Sequence, residues 1–321
     1  MIEVDKLTKY YGERTAIREL SFAIAKGEVV GFLGLNGAGK TTTLRVLACM
    51  LLPSSGTATV DGLEVSQHPH AIRRRVGFLP DTPPLYPEMT VGGYLAFAAR
   101  LRGVPACQVD LRVGEAEEKT ALGQAHSEVI GELSHGYRQR VGVAQAIVHR
   151  PPLLILDEPS AGLDPAQIVE MRNLLRGLRG EHTVLISSHF LTEISQTCDR
   201  LLVIHAGELV GQGSEDELAS AMGQGSSSIT VEVSGQPTGI TQIVAGIAGV
   251  GKVSVEPSSG HGTTTLAIAA DRDVRAEVAR LLVSSGCDLL RLERNERRLE
   301  SIFMNLTQSM SLTPSDAGGP K

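Results

Sequence analysis

The chain has 321 residues, of which 30 are Lys or Arg and 36 are Asp or Glu, for a formal net charge of −6. That balance excludes broad sequence-independent binding to nucleic acid through a strongly basic surface, and 3% aromatic residues with no Trp leave little for base-stacking platforms. Hydrophobic residues at 42% supply ample core, and the length predicts about two domains.

Met1-Ile2-Glu3-Val4-Asp5-Lys6 has no apolar h-region, so no secretory signal is predicted. Residues 2–7 alternate apolar and polar and predict an exposed strand. Val29-Val30-Gly31-Phe32-Leu33 is a continuous apolar run, the pattern of a buried parallel strand. A Gly-rich loop and a helix over residues 40–51 follow it. The stretch from about 85 to 150 is predicted helical, with Gly and Pro breaks near 103–105. Leu153-Leu154-Ile155-Leu156 and Val184-Leu185-Ile186 are two more buried runs. Strands separated by helices predict an α/β domain with a largely parallel sheet over residues 1–218.

Residues 219–228 are small and polar and read as a linker. Beyond them, strands near 229–233, 252–256, 263–268 and 288–292 alternate with helices over 239–247 and 273–284. This β-α-β-β-α-β order predicts a small ferredoxin-like α+β domain, bounded at 229–309. Residues 310–321 are predicted to be a disordered tail. No run approaches the ~18 apolar residues of a membrane span. Cys49, Cys107, Cys198 and Cys287 are far apart and form no CxxC pair, which disfavours disulfide scaffolds and zinc sites and favours a reducing compartment.

Gly34-Leu35-Asn36-Gly37-Ala38-Gly39-Lys40-Thr41 fits G-x-x-x-x-G-K-[ST], after a buried strand and before a helix. Glycines let the backbone wrap a phosphate so that several N–H groups converge on it, and the helix N-terminus adds its positive end. Lys40 supplies a charge for β- and γ-phosphates, and Thr41 a hydroxyl for Mg²⁺. Thr42 extends the stretch that contacts the nucleotide. Alone, this motif leaves kinases, GTPases and transport ATPases open.

Three further motifs narrow the class. Leu153–Leu156 ends in Asp157 and Glu158, which puts two acids at the carboxyl end of a buried strand, where α/β sheets bind ligands. Asp157 is predicted to hold Mg²⁺ through water, and Glu158 to polarise the attacking water; the plainer alternative is two solvated strand-end acids. Leu133-Ser134-His135-Gly136-Tyr137-Arg138-Gln139-Arg140 opens a helix, with Ser134 as its cap and Gly136 allowing close backbone approach. It offers a second anion-binding helix start or, more plainly, an ordinary N-cap. Ser187-Ser188-His189 ends the strand 184–186, which places His189 for a hydrogen bond to a γ-phosphate.

With these motifs in order, residues 1 to about 218 resemble the ATP-binding cassette (ABC) ATPases. The Leu-Ser-His-Gly-Tyr-Arg-Gln-Arg form and Leu299-Glu300-Ser301-Ile302-Phe303 resemble the ATPase subunits of ABC-2-type exporters, near the gliding-motility type. The resemblance implies a P-loop NTPase fold with a helical subdomain. It places Tyr11 where the family stacks an aromatic on adenine, with Tyr10 as the register alternative. It assigns residues 134–138, with Ser134 and Gly136 foremost, to ATP bound by the other protomer. Asp164, in Ala161-Gly162-Leu163-Asp164, falls on the loop that couples the two sites. Four positions depart from the family pattern. Leu35 stands for a frequent Pro, His135 and Tyr137 for the usual Gly and Gln, and Asp81, in Gly77-Phe78-Leu79-Pro80-Asp81, for a Gln that reaches Mg²⁺.

The resemblance implies ATP and Mg²⁺ as cofactors, an ATP-dependent homodimer, and ATP hydrolysis that powers an exporter. The pore belongs to a separate multi-span membrane permease, docked near residues 81–100. That puts the chain at the cytoplasmic face of the membrane as a peripheral subunit, with no nucleic acid as partner. The rival is a soluble ABC ATPase acting on ribosomes or DNA. Such proteins carry two cassettes, or long coiled coils between the phosphate loop and the Ser134 motif, and neither occurs here.

Overall fold

In the computed structural model, which describes residues 1–215, 217–218, 227–234, 239–256 and 263–294, the N-terminal alternation becomes β1 (Ile2–Tyr11). β1 is not an exposed strand. It lies between β2 (Arg14–Ile24) and β4 (Ser55–Val60), with β5 (Leu63–Glu64) beyond, in an antiparallel sheet of order β2-β1-β4-β5. Only its Glu3/Asp5 face is open; Ile2, Val4 and Leu7 are buried.

A second, six-stranded sheet has the order β10-β9-β3-β8-β7-β6. Its strands are β3 (Val29–Leu33), β6 (Val76–Leu79), β7 (Leu153–Asp157), β8 (Thr183–Ser188), β9 (Arg200–His205) and β10 (Glu208–Gly213). All pairings are parallel except β10 on β9. The apolar runs are continuous because each strand serves two cores. Val30, Phe32, Leu153, Ile155 and Leu185 face α1 (Lys40–Leu47) and the antiparallel sheet. Val29, Leu154, Leu156, Val184 and Ile186 face the opposite core, which includes residues of α3 (Val91–Leu101), α4 (Val109–Thr120), α5 (His135–Ile147) and α6 (Pro165–Gly177). With α2 (Pro69–Arg75) leading into β6, this is the mixed α/β fold with a helical portion that the sequence predicted.

The helix expected over 40–51 stops at Leu47. Cys49 takes the left-handed φ of +56°, and the amides of Met50 and Leu51 return to Arg45 O, closing the last turn. The break near 103–105 is Gly103, at φ +86°. Four parallel strands end at one edge of the sheet, and each delivers a predicted site residue there. β3 leads into the phosphate loop, β6 to Asp81, β7 to Asp157 and Glu158, and β8 to His189.

The chain divides into two units, Met1–Ser214 and a second starting at Glu215. The second contains β11 (Ser227–Ser234), β12 (Val250–Glu256), β13 (Thr263–Ala270) and β14 (Asp288–Arg294), antiparallel in the order β12-β13-β11-β14. Helices Ile240–Ala245 and Arg275–Ser284 complete the ferredoxin-like β-α-β-β-α-β succession. Ile229, Val231, Val233, Leu266, Ile268, Val278 and Leu282 form its core. Ser227 and Ser228, read as the end of a linker, are the first residues of β11, paired with Ala270 and Ala269. Residues 219–226, Leu299–Phe303 and the tail from 310 lie outside the described residues. Among the described residues, no helix is long and apolar enough to cross a membrane.

Candidate functional site

The loop after β3 is shaped by backbone conformations open to glycine. Gly37 has φ +81° and Gly39 φ +107°. A Cβ on Gly39 would lie 2.6 Å from Ala16 O, and one on Gly34 would lie 2.6 Å from Ile204 O. The loop closes on itself through Ala38 N–H, which donates to Leu35 O at 3.1 Å. Lys40, the first residue of α1, is only 5% exposed. Its Nζ donates to Gly34 O at 2.7 Å and Leu35 O at 3.3 Å, and lies 3.3 Å from Glu158 Oε1.

Glu158 holds a left-handed φ of +48°, unusual for a residue with a Cβ. Its amide donates to Ser187 Oγ at 3.0 Å and approaches Ser187 O at 3.2 Å, which stabilises that turn. The carboxylate lies between two cationic or donor groups, Lys40 on one oxygen and His189 Nδ1 at 2.6 Å on the other. The His189 ring also lies 3.9 Å from that of Phe190.

Asp157 is 1% exposed. Ser187 Oγ donates to its Oδ1 at 2.5 Å, while Oδ2 is buried with no hydrogen-bond partner. Burial raises its carboxyl above the usual range. The Ser187 and Thr41 hydroxyls oppose that rise, and the charges of Asp81 and Glu158 add to it. Asp81 itself is exposed, just past the end of β6.

Tyr11, Asn36, Gly37, Gly39, Lys40, Thr41, Thr42 and Glu158 line one open cleft. Tyr11 is half exposed, with the Lys9 ammonium 5.6 Å over its ring. Tyr10, its register alternative, does not line the cleft. Ser134, Gly136 and Asp164 lie apart from that lining and assemble with one another. Ser134 caps α5 by accepting from Tyr137 N–H. Asp164 caps α6 in a reciprocal box with Gln167. A Cβ on Gly136 would meet the Gln167 amide at 2.8–3.0 Å, so the two helix starts are pressed together.

The ABC transporter family profile matches residues 17–161. The bacitracin transport ATP-binding protein BcrA of Bacillus licheniformis is 31% identical over 308 residues, covering 95% of this chain and 97% of that protein. The uncharacterized ABC transporter ATP-binding protein YxlF of Bacillus subtilis (strain 168) is 39% identical over 218 residues, covering 68% and 72%. The chain belongs to the ABC transporter ATP-binding proteins. A solved ATP-binding subunit of an ABC transporter, 29% identical, superposes with a TM-score of 0.64 over 70% of this chain and 93% of that one. The chain is thus an ABC transporter ATPase subunit, and nucleotide binding follows from the family.

Within this ABC fold, sequence reasoning missed Arg14 and Ala16, which line the cleft from β2. It also missed Ser187 as the partner of both Asp157 and the Glu158 amide, and Gln167 as the contact of Gly136. Arg14 carries a local hint, a cation just past Tyr11-Gly12. Ser187 and Gln167 reach their partners across strands and helices, and no spacing in the sequence shows that.

Proposed function

We propose that this chain is the ATP-hydrolysing subunit of an ABC-2-type exporter, working as a two-fold nucleotide-sandwich dimer that drives a separate membrane permease. One observation carries the reading: Lys40, Glu158 and His189 meet within 3.3 Å at the edge of the phosphate-loop cleft. Lys40 exchanges its carbonyl partners for β- and γ-phosphate oxygens. Gly34, Leu35, Asn36, Gly37, Ala38, Gly39, Thr41 and Thr42 wrap the phosphates, and Tyr11 faces the base. Glu158, aligned by His189 and the Ser187 contacts of its backbone, takes the proton of the attacking water. His189 steadies the γ-phosphate.

The residues fit Mg²⁺. Asp157 Oδ2 is buried without a donor, which suits a cation better than a proton donor that is absent. Among the described residues no group of three His, Cys, Asp or Glu is built to hold a metal. A magnesium ion needs only one or two carboxylates plus a hydroxyl and phosphates, which the Asp157 and Thr41 side chains match. Asp157, Thr41 and Asp81 would hold it, and when bound it neutralises charge developing on the phosphates.

The start of α5, with Ser134 and Gly136, lies outside the cleft of its own protomer. Facing a second chain, it completes the partner's γ-phosphate site, while Asp164 connects the two sites. On the permease side, Tyr86, half-exposed, packs edge-on against both Tyr94 and Phe97, the latter 41% exposed, and these rings offer an apolar docking face in the segment that follows Asp81. That docking makes the chain a peripheral subunit at the cytoplasmic face of the membrane.

Glu158→Gln tests the reading. Turnover should fall by about 10²–10⁴-fold, the usual worth of a general base, while ATP binding persists and ATP traps a dimer. Ser134→Arg should abolish that dimer. Wild-type turnover in Glu158→Gln, or an intact ATP-dependent dimer in Ser134→Arg, would refute it.

A further inference from the structure

His135 stands in the helix start of α5, where the family resemblance leads one to expect glycine. Its side chain is exposed, yet not free: Nε2 lies 3.0 Å from Ala161 O. A carbonyl only accepts, so Nε2 carries the hydrogen and donates. The ring also lies against the Cα of Gly162, at φ +72°, where a Cβ would come within 3.0 Å of the same nitrogen. The loop that His135 holds is anchored at its other end on Glu158. Ala161 N–H donates to Glu158 O at 3.0 Å, and Leu163 N–H to Ser160 O at 3.3 Å. Glu158 in turn holds Lys40 and His189 with its carboxylate.

These contacts form one chain within a single protomer. It starts at the first turn of α5, passes through the imidazole to the peptide of Ala161, and ends at the strained residue whose carboxylate lies in the phosphate cleft. Gly136 against Gln167, and Gln167 against Asp164, lock the same two segments a second time, through α6. We infer that His135 is a positioning residue for hydrolysis: it ties the helix start that receives one nucleotide to the backbone turn that aims Glu158 at the other. This rests on the reading that α5 meets ATP bound by a second protomer. A glycine at 135 would leave the loop 161–164 without this side-chain tie, held among the described residues by its own turns, the α6 cap and the packing of Leu163 on the core. The imidazole adds one hydrogen bond placed where a shift of α5 bears directly on residue 158.

The test uses the full chain with ATP for turnover and a fluorescent ATP analogue for binding. His135→Leu keeps the bulk and removes the donor. His135→Gln returns an amide N–H at about the reach of Nε2. Losing one neutral hydrogen bond that acts on the transition state should lower kcat about fivefold, with KM and analogue binding unchanged. Gln should recover most of that loss, and melting temperatures of both variants should match the wild type. Wild-type kcat in His135→Leu overturns the inference. So does a loss that Gln fails to recover, or one that appears in KM or melting temperature instead of kcat. Glu158→Gln in parallel separates the two readings. If it is inactive while His135→Leu is fully active, only this inference fails; if it is fully active, the proposed function fails.

Discussion

His149, at the foot of α5, gives the chain a pH-dependent weakness whose size can be worked out. Both of its ring nitrogens are buried and make no hydrogen bond of good geometry. Burial depresses its pKa from 6.5 to about 4, and the charge of Arg102 and, after it, that of His182 push the same way, while the nearby Val76 backbone opposes them. The folded value lies below the unfolded one, so as pH falls the unfolded chain takes up the proton first. Stability is therefore lost between about pH 6.5 and pH 4. At roughly 1.4 kcal/mol per pKa unit the full loss is about 3 kcal/mol, of which about 2 kcal/mol has gone by pH 5. His149→Phe keeps a ring of similar size and removes the titration. Between pH 7.5 and pH 5 the wild type should lose about 4–8 °C more than the variant in the melting transition of the first unit. Equal losses in the two proteins, or a directly titrated His149 that protonates near pH 6.5, would refute the argument.

Gly39→Ala forces a Cβ into a left-handed position 2.6 Å from Ala16 O. Conformational strain alone is about 1–2 kcal/mol, so ATP affinity should drop roughly tenfold or more by equilibrium binding; unchanged affinity would mean that the loop does not hold phosphate. Asp81→Ala should lower turnover more than ATP binding, and Asp81→Gln should retain more activity than Ala; near wild-type turnover in both would make Asp81 a turn residue only. A chain ending at residue 218, just past the division at Ser214, should fold and bind ATP. Aggregation under conditions where the full chain is stable would show that the second unit completes the first one's core.

What could be read in advance was whatever chemistry and geometry share a short stretch of chain. The phosphate loop is local, so Gly34 to Thr41 were legible in one pass. The strand-end placement of Asp157, Glu158 and His189 was legible because a buried strand announces its own carboxyl end. The antiparallel sheet was not. β1 and β2 each carry a left-handed residue, Lys6 at φ +45° and Glu19 at φ +44°, which insert irregularities into the pairing. The buried positions Ile17, Leu20 and Phe22 then fall three and two apart, and the period-2 signal disappears. Contacts between distant segments were equally hidden. The Ser187 hydroxyl on Asp157 requires β7 and β8 to be neighbours in register, Asp157 opposite Ser187. The pressure of Gln167 on Gly136 requires two helix starts to converge. The imidazole contact of His135 needs both that convergence and a residue that the family pattern does not lead one to expect.

The alternation along β3, β7 and β8 has a mechanical consequence. Each of these strands is a party wall, with consecutive side chains committed to different cores. Sliding one strand by a single residue would turn every side chain into the wrong room, and sliding it by two would tear both cores at once. The strand ends are thus fixed like the stops of a lathe, and Lys40, Asp157 and Glu158 are gauged from them. Whatever moves during turnover must be hung from those stops by loops and helices, beyond the last buried residue of each strand.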